Sequence, residues 1–182
     1  MKKLVLVLAG ALAFNLAHSQ IFMDKKAAIH FLSKATLEDI EATNKTVVVV
    51  VDGATGNVQV QCQIKAFKFS SSFMEAHFNE NYMESEKYAF STFKGKITEK
   101  IDYTKDGDYP VTCVGKLEMH GVTQEVTVPG TLKIKGGKIT LEAKFKVKPA
   151  DYKIKVEGSY AEKIAKEIGV DITSVLEPFK KP

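Results

Sequence analysis

The sequence has no tryptophan, no arginine, only 2 Cys and 5 Pro, and no apolar run of the length a membrane-spanning helix needs. Each shortage excludes something. Proteins that read nucleic acids lean on guanidinium forks for guanine and phosphate. Here all 26 basic side chains are lysines, so no nucleic-acid partner is expected. Two cysteines cannot knit a disulfide-dense small domain. With 12 Gly and 5 Pro in 182 residues, collagenous and low-complexity classes drop out. What remains is ordinary globular composition, 45% hydrophobic and 26% charged, at a length that suits one domain with a real core.

The N-terminal residues read as an export signal. Met1-Lys2-Lys3 is a short basic start, and the apolar residues 4–16 fall short of the ~20 residues of a spanning helix. Ala17-His18-Ser19 then places small residues at the first and third positions before Gln20. Cleavage is expected between Ser19 and Gln20, leaving residues 1–19 as a signal peptide and residues 20–182 as the mature domain. No cysteine follows the apolar run, so a lipoprotein anchor is excluded. Loss of Lys2 and Lys3 brings the chain close to neutrality, and bulk charge then selects no partner. The expected product is exported, periplasmic or secreted, and does not span a membrane.

The rest of the chain alternates with period two. Val126, Val128, Gly130, Leu132 and Ile134 share one face, and Ile139, Leu141, Ala143, Phe145 and Val147 mirror them after Gly136-Gly137. A two-residue turn there pairs Ile134 with Ile139, so both apolar sets meet on one side. Val111, Cys113, Gly115, Leu117 and Met119 form the preceding strand, and a His120-Gly121 turn sets Gly115 opposite Val126. The one mismatch is Leu117 against Gln124. Val58, Val60, Cys62, Ile64 and Ala66 give another strand, residues 47–51 a β-branched one, and residues 27–33, 90–101 and 170–176 three more. Two segments show helical spacing instead. Phe73, His77 and Asn81, with Met74, Phe78 and Tyr82, recur every four residues within residues 71–87, and Ile164 and Ile168 do so within residues 160–168. The expected fold is all-β: an antiparallel, lipocalin-like barrel of about eight strands with one or two short flanking helices.

The apolar face must point inward. An outer-membrane barrel needs aromatic girdles on its apolar band, and a lumen of eight strands has no room for rows such as Lys144, Lys146 and Lys148. Small inward residues (Cys62, Ala66, Cys113, Gly115, Gly130, Ala143) suggest spare volume for an alkyl or isoprenoid chain, unless Leu117, Met119, Leu141 and Phe145 fill it. The candidate lumen lining is Val60, Cys62, Ile64, Cys113 and Leu117 from the first strands. Val126, Val128, Leu132, Leu141 and Phe145 complete it. His77, Asn81 and Tyr82 are placed near the mouth, where they would meet a polar head, or else cap a helix through backbone bonds.

Three blocks also carry a resemblance. Phe73-Met-Glu-Ala-His77-Phe78-Asn-Glu-Asn-Tyr82 with Ser85-Glu-Lys87-Tyr88 and Phe93-Lys-Gly95 resembles the central block of the YceI-like family. Leu117-Glu-Met-His-Gly121-Val122-Thr123 with Val126-Thr-Val128 resembles its glycine-valine-threonine hairpin, and Lys148-Pro-Ala-Asp151-Tyr152 its Asp-Tyr segment. Lys153 stands where members of the family often carry glycine. The resemblance spans nearly the whole mature chain and implies a lipocalin-like barrel that binds a polyisoprenoid or related lipid, without catalysis and without a cofactor. Phe78, beside His77 on the helical segment, is also counted among the candidate ligand-binding residues.

Other chemistry finds little support in the sequence. His30, His77 and His120 lie at no metal-ligand spacing, and His120, beside a turn glycine, is expected to be solvated. No nucleophile elbow, phosphate loop, dinucleotide fingerprint or HExxH motif occurs, so no enzyme is expected. Cys62 and Cys113 fall on non-adjacent strands and are expected as buried free thiols. Two functions stay open: an exported barrel that carries or sequesters a lipophilic small molecule, and a non-catalytic interaction module with a filled barrel. The second would pair as a homodimer through an exposed strand or the helices.

Overall fold

A sheet with one apolar face must bury it, and curling until the edges meet does so without leaving an unpaired edge. The computed structural model, which describes residues 20–156 and 162–179, adopts this solution. The strands are β1 (Ile21–Lys34), β2 (Asp39–Asp52), β3 (Asn57–Gln63), β4 (Lys68–Phe69) and β5 (Phe90–Ile97). They continue as β6 (Gly107–Met119), β7 (Val122–Lys135), β8 (Lys138–Val147) and β9 (Ile168–Pro178). Helix α1 (Ser72–His77) lies between β4 and β5. Every pairing is antiparallel. Because β1 pairs with both β2 and β9, while β4 pairs only with β2, the other eight strands form a closed barrel.

The hairpin registers follow from the turns. Ile134 faces Ile139 across Gly136-Gly137, and Met119 faces Val122 across His120-Gly121. All four turn residues have positive φ (57° and 77° at Gly136-Gly137, 51° and 72° at His120-Gly121), the left-handed geometry whose twist matches that of the flanking strands. The Leu117–Gln124 mismatch is resolved by a bond: Gln124 Nε2 donates to the Asp151 carbonyl at 2.8 Å. His120 is not solvated. Its side chain is 10% exposed, with Nε2 at 2.7 Å from Glu84 Oε2, Nδ1 at 3.1 Å from the Tyr152 carbonyl, and its ring against Tyr88.

Two local expectations need correction. The alternating run through Ala66 leaves the sheet early: β3 ends at Gln63, and Ile64–Ala66 forms a 3-10 turn. Asn44, wholly buried beside a register shift between β1 and β2, takes the Gln63 carbonyl at 2.8 Å, and Ile64 N donates to the Ala89 carbonyl at 2.9 Å. These bonds replace the β2 ladder. The helix expected over residues 160–168 is absent where the chain is described: residues 162–167 are turns and bends, and Ile168 opens β9 opposite Val147. Tyr160 and Ala161 lie outside the described residues. Ala165 N donates to Ser33 Oγ at 2.9 Å, a tie to β1 that a helix would have spent internally.

The segment of residues 71–87 is helical only at its start. Past α1, residues 78–82 widen into a π turn in which Met83 N donates to the Phe78 carbonyl at 2.9 Å. Asn79 Nδ2 meanwhile takes the Glu75 carbonyl at 2.8 Å. A π turn of this kind rotates the following side chains relative to an α-helix, and it marks functional sites more often than chance.

One end of the barrel is filled solid. Val49, Val51, Leu132 and Leu176 are fully buried, and Phe22, Ile97, Ile134 and Ile139 nearly so, with the Phe22 and Tyr103 rings 5.1 Å apart. Cys62 and Cys113 are free and buried, on strands separated by β5. Burial pushes the Cys62 thiol up to about 12 and the Cys113 thiol up to about 11. Neither carries useful thiolate at pH 8. A thiol-disulfide reagent such as DTNB should leave the folded protein unlabelled and titrate both thiols once the chain is unfolded; fast labelling of the native state would contradict this burial. The linkage sign is fixed by the same shift. The unfolded chain gives up these protons near pH 8.5 and the folded chain only at higher pH, so stability present below that point falls as pH rises toward about 12.

Candidate functional site

The other end of the barrel is hollow. It holds a cavity of about 360 Å³, walled mainly by aromatic and aliphatic side chains. Ile29 and Phe31 come from β1, Cys62 from β3, Leu117 and Met119 from β6, Phe145 and Val147 from β8, and Ile168 and Val170 from β9. Alternation explains why each points inward. Phe73, Met74, His77, Phe78, Tyr82 and Met83 close one side from α1 and the π turn, and Ile154, Val156 and Ile164 close another.

Four phenylalanines hold the helical segment on the barrel. Phe78 lies 5.6 Å from Phe31, 5.7 Å from Phe67 and 5.1 Å from Phe69 between ring centroids, and Phe31 also packs on Phe67 and Phe69. Stacked, tilted and edge-on pairs of this kind contribute about 0.5–1.5 kcal/mol each beyond area burial. Outside, Lys68 Nζ donates to Glu75 Oε1 at 2.6 Å and ties α1 to β4. That bond holds the Glu75 carboxyl below the usual carboxylate range.

Polar groups gather at the mouth. Glu38 is exposed in the β1–β2 connection, Lys163 precedes β9, and His77 and Tyr82 project from the helical segment. His77 Nδ1 accepts from Asn81 Nδ2 at 3.1 Å, and its ring lies 4.4 Å from that of Phe73, which is 64% exposed. The arrangement is an apolar sleeve with a mixed-charge rim, suited to a chain with a polar head. Among the described residues no group of three or more His, Cys, Asp or Glu side chains is placed to hold a metal, and no helix is long and apolar enough to cross a membrane.

The structure divides the lining expected from sequence. Cys62, Ile64, His77, Phe78, Tyr82, Leu117 and Phe145 border the cavity. Val60, Cys113, Val126, Val128, Leu132 and Leu141 point inward but pack into or against the core cluster, away from the cavity wall. Asn81 is exposed and turned to His77. The cause is axial: alternation assigns a side chain to a face and says nothing of its height along the barrel. One of the small residues, Gly130, acts differently from expectation. A Cβ on Gly130 would stand 2.8 Å from the Glu142 carbonyl oxygen, so that glycine permits close strand approach and leaves no void. Ile29, Phe31, Phe67 and Phe69 were not among the candidates; the density of phenylalanine in residues 67–78 was the available signal.

The 3-10 turn Pro149–Tyr152 supports this end, with Tyr152 2% exposed. It ends at Lys153, φ 57°, in the left-handed region that favours glycine. Lys153→Gly should therefore raise stability by about 0.4–1 kcal/mol, read as a shift of the urea midpoint at constant slope. A lower midpoint would show that the lysine side chain offsets its backbone strain.

Comparison with known proteins places this geometry. The model of a family described as YceI-like domain matches residues 13–176. No curated protein matches the chain. Among solved structures, a polyisoprenoid binding domain from Saccharophagus degradans implicated in plant cell wall breakdown superposes with a TM-score of 0.74 at 13% identity, covering 88% of this chain and 99% of that one. BcnA of Burkholderia cenocepacia gives 0.68 at 20% identity over 84% and 96% of the two chains. The YCEI protein of Campylobacter jejuni gives 0.57 at 22% identity over 100% of both. At these identities the likeness speaks for the fold.

Proposed function

The chain belongs to the YceI-like domain family, and from that premise we propose that it is an exported binding protein that carries or sequesters a lipophilic small molecule inside its barrel. The ligand is of isoprenoid or fatty-acyl type. One observation supports this above the others: a core that is fully packed at one end stays hollow at the other, with about 360 Å³ lined almost wholly by apolar side chains. Protein interiors close voids of that size unless something fills them, because unfilled space forfeits dispersion contacts. The polyisoprenoid binding domain among the structural neighbours has the same fold, and the basic-apolar-small pattern of residues 1–19 supports export to the periplasm or beyond. The chemistry is binding without catalysis.

Native mass spectrometry of the protein purified from its own host tests the reading. A co-purifying amphiphile, removable by organic extraction and restored by added farnesol or tetradecanoate, is the expected result. A bare mass, with no uptake of either lipid by the extracted protein, would instead favour an interaction module.

A further inference from the structure

The two most exposed large apolar side chains among the described residues stand at the mouth of the cavity. Leu37 and Phe73 are each 64% exposed. Leu37 lies in the β1–β2 connection, between Ser33 and Glu38, which both border the cavity, in a place where turn chemistry favours polar residues. Phe73 borders the opening from α1, its ring against that of His77. By contrast, Val114 lies on the barrel wall between Lys96 and Thr127, and Phe179 lies at the filled end, where its N–H donates to the Ile21 carbonyl at 2.7 Å.

A rim of this kind fits a lipid surface. Glu38 and Lys163 border the same opening with opposite charges, so the attraction comes from apolar contact and not from the sign of the surface. The cargo argues the same way. Each methylene held in water makes the free chain about four-fold rarer, so ten of them make it about a million-fold rarer. A chain that leaves a bilayer through water must pass that state; one that slides into the cavity through a docked mouth does not. Resting on the lipid-binding reading above, we infer that the mouth of the barrel docks on a lipid bilayer, with Leu37 and Phe73 entering its interface beside the opening.

The chain has no tryptophan, so a single introduced indole reports its own surroundings. With vesicles of phosphatidylcholine carrying brominated acyl chains, the emission of Leu37→Trp should shift to the blue and be quenched, at low and high salt alike, while Val114→Trp and Phe179→Trp stay unchanged. The fluorescent fatty acid cis-parinarate should pass from the loaded protein to such vesicles at a rate proportional to vesicle concentration. Leu37→Ser should slow that transfer about ten-fold, yet bind cis-parinarate delivered from ethanol as tightly as the unaltered protein. An unquenched Leu37→Trp, or a transfer rate indifferent to vesicle concentration, overturns the docking and leaves the carrier standing. So does a blue shift of Leu37→Trp on concentrating the protein without vesicles, which assigns the mouth to a second copy of this chain. Failure of the unaltered protein to take up cis-parinarate from ethanol overturns both.

Discussion

Gly115→Ala should destabilise the protein by about 3 kcal/mol, the upper part of the range for inserting bulk into a packed site. A Cβ at Gly115 would fall inside contact distance of Gly95 Cα and of the Lys94 carbonyl oxygen. Both are backbone atoms of the neighbouring strand, which cannot rotate away as a side chain would. The clash must be relieved by parting β5 from β6, whose register runs through Gly95 and Gly115. Gly136→Ala is the control. No atom lies within 4 Å of the added carbon there, and only the left-handed backbone, φ 57°, is strained. Its cost should stay near 1 kcal/mol. Urea unfolding of the two variants checks the difference. Equal midpoints would mean that this strand pair is looser than its backbone contacts indicate.

Phe78→Ala should cost about 3 kcal/mol or more, in the range for deleting a large aromatic from a core. Phe78 touches Phe31, Phe67 and Phe69, and it packs against both hydrophobic clusters. The loss should be local before it is global. Without the ring, α1 loses its aromatic anchor on the barrel, and the Lys68–Glu75 pair that also ties it down is an exposed bridge of small worth. Amide exchange of Met83, whose N–H is held by the Phe78 carbonyl, should therefore accelerate more than that of Leu132 in the filled end. Uniform acceleration would show that the helical segment and the barrel open as one unit. Because Phe78 also borders the cavity, the same variant should bind apolar chains more weakly, through a wall that no longer stays closed.

The sequence was most informative where chemistry is local. Gly136-Gly137 and His120-Gly121 dictate left-handed turns, and two-residue turns leave only one register for their strands. It was less informative where a distant group competes with the backbone. Asn44 takes the Gln63 carbonyl where the β2 ladder has ended, and nothing in the alternation of Val58, Val60 and Cys62 announces that bond. Ile164 and Ile168 stand four apart as on a helix, yet both meet the cavity from a bend and a strand, because a shared apolar destination imposes the same spacing.

Period-two alternation and turn chemistry by themselves determined a closed antiparallel sheet with its greasy face inside, since side-chain direction in a strand depends only on the residue's parity. Only the tertiary structure decided which end of the lumen is filled and which is hollow. That outcome depends on Phe31, Phe67, Phe69 and Phe78 meeting from three separate stretches of the chain. Volume in a barrel is a sum over residues far apart in sequence, and no stretch of one strand contains it.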